Sequence, residues 1–519
     1  MRKLNRFWFL IPIVIFILTF VVASIFARMG VDPHHDGIMF KPALDVAEGK
    51  ILFKDTFTQY GALTTILQAF SLSIFGKYLL SLRILTAFFY ALTSVILWLI
   101  WSKIIPKWLA MLSCIIWIFL APYFMMTFLP WASVYALFFQ MLSLFLLILF
   151  IEKEHFLFLS LSGISTALTF LCRQPVGILL SLSIAGFLLV SSKTNFRRSV
   201  NKIGVFLAGF SAICVLFFAL LIISHSLKDW WLQTIYMPFA WSKSLKDNFF
   251  NAGLVGSLFL FKKSSYIWTL LPVINLLVIA ITSMGLFIDP LPKKKNLIIM
   301  SVCFVSLASW AQYYPIYCER HVYWAATPMI GLFSFVIWNC FVRLKRENQS
   351  NITWAVIKSA IVILILILTF WTDIHKRIEV GLIRIEQNSK TVSSPKVLYG
   401  QKMTPKEAVS YEKLGKALDK YQRKHPKIKL ITNGPDALFL TFLKGNENYQ
   451  PMYVNWVQNS LIYPNYYRKE NKYIKSYQPL IFAPANIAIP LKYYVLESFG
   501  AMPEFGIQDY VLLAKTNEG

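Results

Sequence analysis

Apolar runs of about twenty residues, separated by short basic loops, recur through the first three quarters of this 519-residue chain. Crossing ~30 Å of hydrocarbon at ~1.5 Å per residue takes about 20 such residues, each with its backbone amide bonded within the helix. The pattern predicts eleven spans, near 8–27, 79–102, 108–126, 132–151, 156–172, 176–191, 203–224, 267–288, 297–313, 322–342 and 353–372. The apolar run from Phe7 to Ala27 is longer than a secretory h-region, and Ile25 and Phe26 spoil a cleavage site, so it reads as an uncleaved first span. Segment 61–75 differs: Leu63, Ile66, Leu67, Phe70 and Ile74 share one helical face, and Thr64, Gln68 and Ser71 share another. Too short to span, it reads as an interfacial helix on the outer surface.

The basic residues fix an orientation. With a cytoplasmic N-terminus, the inner loops carry Lys103 and Lys107, then Lys153, then Lys193, Arg197, Arg198 and Lys202, then Lys293 to Lys295, then Arg343, Lys345 and Arg346. An odd number of spans then places everything after about Trp371 outside. Two outer loops are long, Arg28 to Leu80 and Ser226 to Tyr266, and Trp230, Trp231 and Trp241 in the second suit the headgroup region. Beyond Thr372 the pattern changes to that of a soluble α/β domain, with a polar helix around Glu407 to Lys424. An apolar run follows, IKLITNGPDALFLTFL, with a turn at Asn433, Gly434 and Pro435, and this run, PLIFAPA and YVLLAK read as strands. The expected domains are therefore 1–372 in the membrane and 373–519 outside.

A hydrophobic share of 57% and a mean hydropathy of +0.57 agree with lipid as the solvent. The formal charge of +26 is spread over loops and tail, with no nucleic-acid motif. Anionic headgroups and phosphate-bearing substrates are the better partners for it. Six cysteines form no CxxC pair, which leaves disulfide and metal readings weak.

The sharpest chemical signal is VDPHHDG, Val31 to Gly37, directly after the first span. Asp32 before Pro33 reads as a helix N-cap. Asp36 falls in the first turn, where the helix dipole favours an ionised carboxylate fit to act as a general base. His34 and His35 with the two aspartates offer ligands for a divalent metal, although hydrogen bonding at the helix start accounts for them without one. Farther along, Asp55, Gln59 and Tyr60 gather before the interfacial helix. Arg83, Arg173 and the pair Arg320 and His321 fall at outer ends of spans, where a guanidinium needs a carboxylate, a phosphate or water. Three cations on one face beside a carboxylate-bearing loop point to an anion site.

At these residues the chain resembles the GT-C superfamily of integral membrane glycosyltransferases, in the branch of the dolichyl-phosphate-mannose mannosyltransferases, aminoarabinose transferases and Rgt-type enzymes. HHDG occupies the place of the family's paired acids. GKILFKDTFTQYGALTTILQAFSLSIFGKYLLSLRIL resembles its juxtamembrane helices and second span, SGISTALTFLCRQPVGILL a span ending in a cation, and YPIYCERHVYWAATP a late outer motif. Gly37 departs from the usual second acid, and Arg173 from the usual lysine. The resemblance implies an all-α polytopic GT-C fold with an appended soluble domain. It also implies inverting transfer of one sugar from a polyprenyl phosphate to an envelope glycan, lipid or protein acceptor. In that reading Asp36 is the base, Asp55 assists it, and His35, Gln59, Tyr60, Arg83, Arg173, Arg320 and His321 bind substrate. No cofactor is required by these residues, and a divalent metal stays open. A lipid-linked saccharide flippase is a rival, but the ionisable groups sit at span ends and no repeat is visible. A polymerase or ligase would centre on a late outer loop, whereas the first is richest here.

Overall fold

The computed structural model describes residues 10–191, 196–244, 266–284, 292–313, 318–343, 352–432, 436–443, 445–446, 465–485, 493–499 and 509–515. The apolar runs become helices α1 (Ile11–Ala27), α4 (Leu79–Trp101), α5 (Lys107–Phe119), α6 (Ala132–Lys153), α7 (Phe156–Cys172), α8 (Gln174–Ser191), α9 (Phe196–Ile223), α12 (Ile267–Ser283), α13 (Lys293–Trp310), α14 (Glu319–Arg343) and α15 (Ile352–Gln387). Each predicted span thus has a helix. Seven are long and apolar enough to cross a membrane by length and composition, and α1, α7 and α12 are shorter apolar helices. The α1 face bearing Leu10, Ile13, Val14, Ile17, Val21 and Ile25 is exposed, as expected where lipid is the solvent.

Between α1 and α4 the first long loop forms two helices, α2 (Pro33–Ala47) and α3 (Ala62–Phe75). The α3 helix is inside out by soluble standards. Its Thr64, Gln68 and Ser71 are buried, while Ile66, Phe70, Ile74 and Phe75 are exposed. Gln68 donates to the carbonyl of Pro130 at 2.7 Å, so the polar face bonds to protein and the apolar face is left to lipid. A buried carboxylate staples the rest of the loop: Asp45 receives Lys41 at 2.6 Å, Lys50 at 2.7 Å and Thr56 at 3.0 Å.

The second long loop holds α10 (Leu227–Trp231), a π-helical turn (Leu232–Tyr236) and α11 (Met237–Ser244). Buried Gln233 accepts from the Thr58 amide at 3.1 Å and donates to the Phe53 carbonyl at 2.9 Å, which ties this loop to the first. Trp231 is exposed as a headgroup residue would be, but Trp230 packs on Phe217 and Phe218 inside the protein. At the opposite end of the bundle, Lys103 meets Glu152 at 2.8 Å, and Arg198 and Lys294 lie 3.6 and 3.7 Å from Glu154. The loops read as sharing one membrane side do meet at one end.

The polar change expected at 372 falls within one continuous helix, because α15 runs on to Gln387. After it come a short β1 (Lys390–Thr391) and β2 (Lys402–Met403) pair, then α16 (Pro405–Lys424), started by a capping box of Thr404 and Glu407. A four-stranded sheet has the order β3-β4-β6-β5, from β3 (Leu430–Thr432), β4 (Leu480–Pro484), β5 (Tyr493–Phe499) and β6 (Tyr510–Lys515). Only β3 and β4 are parallel; the other neighbours are antiparallel. A helix α17 (Tyr466–Tyr477) precedes β4. The run after β3 forms a 3-10 turn, Ala437–Thr441, rather than a strand, and the turn expected at Asn433 to Pro435 lies outside the described residues.

The C-terminal core is continuous with the end of the bundle that carries α2 and α3. Leu438, Phe439 and Leu398 share one apolar cluster with Val31, Phe40, Leu79 and Leu82. Backbone bonds reinforce this, with Lys402 N–H donating to the Arg28 carbonyl at 2.6 Å and Gly30 N–H to the Lys402 carbonyl at 2.8 Å.

Candidate active site

Asp32 caps α2 as the sequence predicts, with Oδ1 accepting from the His35 amide at 2.9 Å and Oδ2 2.6 Å from His35 Nδ1. Burial alone would raise the Asp32 carboxyl, but the bonds and positive field of His35 hold it below the ordinary carboxylate range. His34 stacks edge-on against His35 at 4.8 Å.

Asp36 has a different environment. It is fully buried, and its two oxygens take a forked bond from Arg83, Nη2 to Oδ2 at 2.5 Å and Nε to Oδ1 at 3.2 Å. The Asp32 amide adds a third donor at 2.9 Å. Burial pushes the Asp36 carboxyl up to about 6 against the pull of Arg83. Arg83 is equally buried, and its Nη1 is spread over the carbonyls of Ala27, Met29 and Gly30 and the side chain of Gln401. It is a structural hub with its donors already engaged by protein.

The other arginines gather elsewhere. Gly61 N–H bonds the Cys172 carbonyl at 3.1 Å, and a Cβ on Gly61 would lie 2.0 Å from the Leu171 carbonyl oxygen. This close crossing, which only glycine permits, carries Gln59 and Tyr60 to the end of α7 beside Arg173. Trp131, at the start of α6, is the hub: His35 and Tyr60 each lie 5.1 Å from its ring, and the Arg320 guanidinium sits 5.5 Å over it. Arg173 Nη1 donates to Ser133 Oγ at 2.7 Å and Gln312 Oε1 at 3.2 Å. Tyr60, within hydrogen-bonding reach of Gln59, is pushed up to about 12 by burial and stays a neutral hydroxyl. His35, Gln59, Tyr60, Arg173 and Arg320 are half-buried, so the cluster is open to a ligand.

Among the described residues neither Arg173 nor Arg320 meets a carboxylate within ion-pair distance. Two guanidiniums on an aromatic floor with neutral orienting partners make a receptor for an anion such as phosphate. Besides Asp36 and Arg83, two more expected members lie apart from it. Asp55 closes its own turn by accepting from the Ile51 amide at 2.9 Å, and His321 packs on Trp324, 5.8 Å away, along α14. Trp131, Ser133 and Gln312 carry no sequence signature of a site and were not legible beforehand. Among the described residues no three His, Cys, Asp or Glu side chains converge to hold a metal, and Asp36 is turned to Arg83. The described residues do not fit a metal centre.

Gly37, where the resemblance expects a second acid, faces the C-terminal domain. A Cβ there would lie 2.2 Å from the Leu438 amide nitrogen. Gly37→Ala is expected to push the 437–441 turn off α2 and cost about 1–3 kcal/mol, as overpacking does. A lowered melting temperature and faster proteolysis after Gln387 would register it; an unchanged melt would mean that the turn yields freely.

The fold is that of a polytopic helical membrane protein of GT-C architecture, ArnT-like in its layout, and the arginine cluster lies beside the loop that joins α1 to α4. Residues 62–223 match the family model described as dolichyl-phosphate-mannose-protein mannosyltransferase. The chain is similar to ArnT from Cupriavidus metallidurans bound to undecaprenyl phosphate, with 11% identity, coverage of 98% of each chain and a TM-score of 0.56. The apo form of that protein gives 0.55 at 11% identity, covering 96% of this chain and 97% of that one. The Archaeoglobus fulgidus oligosaccharyltransferase, in complex with Zn and sulfate, gives 0.52 at 12% identity, covering 90% of this chain and 68% of that one. A search of the curated proteins finds no match.

Proposed function

We propose that this protein is a glycosyltransferase of the bacterial inner membrane that takes a single sugar from a polyprenyl-phosphate donor. The acceptor is an envelope glycan, lipid or protein on the outer face. The N-terminus is then cytoplasmic and the C-terminal domain periplasmic, in keeping with the basic loops clustered at the far end of the bundle. One observation carries the reading: Arg173 and Arg320 converge beside Trp131 and His35, without carboxylate partners among the described residues. Sequence likeness over 62–223 to mannosyltransferases that use a lipid phosphate supports the choice of donor.

In this mechanism the acceptor oxygen or nitrogen attacks the anomeric carbon from the face opposite the phosphate. The bond from that carbon to the phosphate oxygen breaks, and inversion follows. The phosphate leaves with the electron pair, and Arg173 and Arg320 stabilise the charge gathered on it. The acceptor proton goes to the Asp32–His35 pair, in which Asp32 fixes the ring through Nδ1. This assignment replaces Asp36 as base, because both Asp36 oxygens are held by Arg83. Mass spectrometry of envelope lipids and glycans from cells with and without the gene is expected to show one monosaccharide missing from a single product. Identical profiles, with the protein shown to be expressed in the parent, would refute the reading.

A further inference from the structure

The C-terminal domain brings one carboxylate to the same corner. Asp436 stands just before the 3-10 turn Ala437–Thr441, and that turn lies against α2 at Gly37, where the Leu438 backbone leaves no room for a Cβ. His35 is two residues from that contact and Asp32 is the helix cap. The Asp436 carboxylate is not buried idly within its own domain, since it is only half-buried, and Asp32 and His35 are the charged groups acting on it. Its position is held from behind: Tyr510 Oη donates to Asp436 Oδ2 at 2.9 Å. The Tyr510 ring is stacked on Phe482 at 5.0 Å and 2° and lies 5.8 Å from Phe439. Phe439 and Phe482 belong to the cluster that joins the domain to the end of the bundle that carries α2 and α3. Sheet, turn and α2 therefore fix this side chain relative to the Asp32–His35 pair.

The Asp436 carboxylate has one oxygen bonded to Tyr510, and among the described residues no cation pairs with it. Its field is negative, so it is unsuited to the donor phosphate, which the arginines attract. A carboxylate in this setting takes hydrogen bonds from hydroxyl or amine groups. We propose that Asp436 is an acceptor-binding residue, accepting a hydrogen bond from a hydroxyl or amine of the incoming acceptor so that the neighbouring nucleophile faces the Asp32–His35 pair. The inference rests on the glycosyltransferase reading and adds to it one named acceptor-binding side chain, where the resemblance implies only that such appended domains handle the acceptor. Asp436 takes no proton in the chemical step. Burial pushes its carboxyl up to about 6, with the nearby Asp32 charge adding to the effect.

The test uses the full-length protein in nanodiscs. Undecaprenyl-phosphate-linked monosaccharides serve as donor, and envelope lipids and glycans extracted from cells lacking the gene serve as acceptor. Asp436→Asn is expected to raise the acceptor KM about 10- to 100-fold, the loss of one hydrogen bond to a charged group, with the donor KM unchanged. Asp436→Glu should recover part of the loss, and Tyr510→Phe should move the acceptor KM in the same direction by less. Binding of undecaprenyl phosphate alone and the melting temperature should match wild type in all three. Unaltered acceptor kinetics in Asp436→Asn would overturn the proposal. So would a parallel loss of undecaprenyl phosphate binding, which would mark a purely structural role. Wild-type protein that transfers no sugar from any donor would instead overturn the glycosyltransferase reading, and this inference with it.

Discussion

Asp36→Asn is expected to cost this protein about 3–5 kcal/mol of stability, because it strands a buried guanidinium without its counter-charge. Arg83 and Asp36 are both fully buried, and Arg83 reaches the end of α1, the start of α2 and the C-terminal Gln401 from its place on α4. An asparagine retains the shape and loses the charge. Against a total stability of about 5–15 kcal/mol, the loss is large enough to deplete the folded population. Fluorescence-detected size exclusion and thermal melting in detergent would measure it. Asp36→Leu with Arg83→Met, which removes both charges, should recover much of the fold, since an apolar pair of similar volume avoids the desolvation cost. That double variant also separates fold from chemistry. If it folds and transfers sugar, Asp36 is a structural anion; if it folds and is inert, the Asp36 carboxylate takes part in the reaction and the assignment to Asp32–His35 fails.

Asp36 and Arg83 read from the sequence as chemistry, and the structure pairs them with each other. Each has the features of a functional group, a carboxylate in a first helical turn and a cation at a span end, and nothing local shows that they satisfy each other across 47 positions. Gln401, which completes the Arg83 shell, is 318 positions away. The spans were legible because the requirement to bury backbone amides in lipid is written into every run of apolar residues. The polar face of α3 was legible too, although the direction it faces is set by Pro130 and Tyr135 on another element. Arg173, Tyr60 and His35, singled out by type and position, come together around Trp131, which has no such signal because an aromatic residue before an apolar helix is ordinary in a membrane protein. In the C-terminal domain, period and apolarity found β4 and β6 but misread 437–441. There the apolar side chains point into a core shared with α2, and a tight turn buries them as well as a strand would.

Arg173→Ala is expected to lower kcat/KM for a polyprenyl-phosphate sugar about 10²- to 10³-fold, the usual loss when a preorganised donor to developing charge is removed. The melting temperature should hardly move, which is the reverse of the Asp36 result. Among the described residues Arg173 bonds the neutral side chains of Ser133 and Gln312 and no carboxylate, so its removal strands no counter-charge there. Arg173→Lys should fall between the two, because an ammonium supplies charge without the forked geometry that matches two phosphate oxygens. Donor titrations with the variants in nanodiscs, together with inhibition by undecaprenyl phosphate, separate binding from turnover. If the two guanidiniums grip one phosphate, Arg173→Ala and Arg320→Ala combined will not multiply their separate losses, since groups sharing a ligand couple. Independent, multiplying effects would place Arg320, over the Trp131 ring, on the sugar or the acceptor instead of the leaving phosphate.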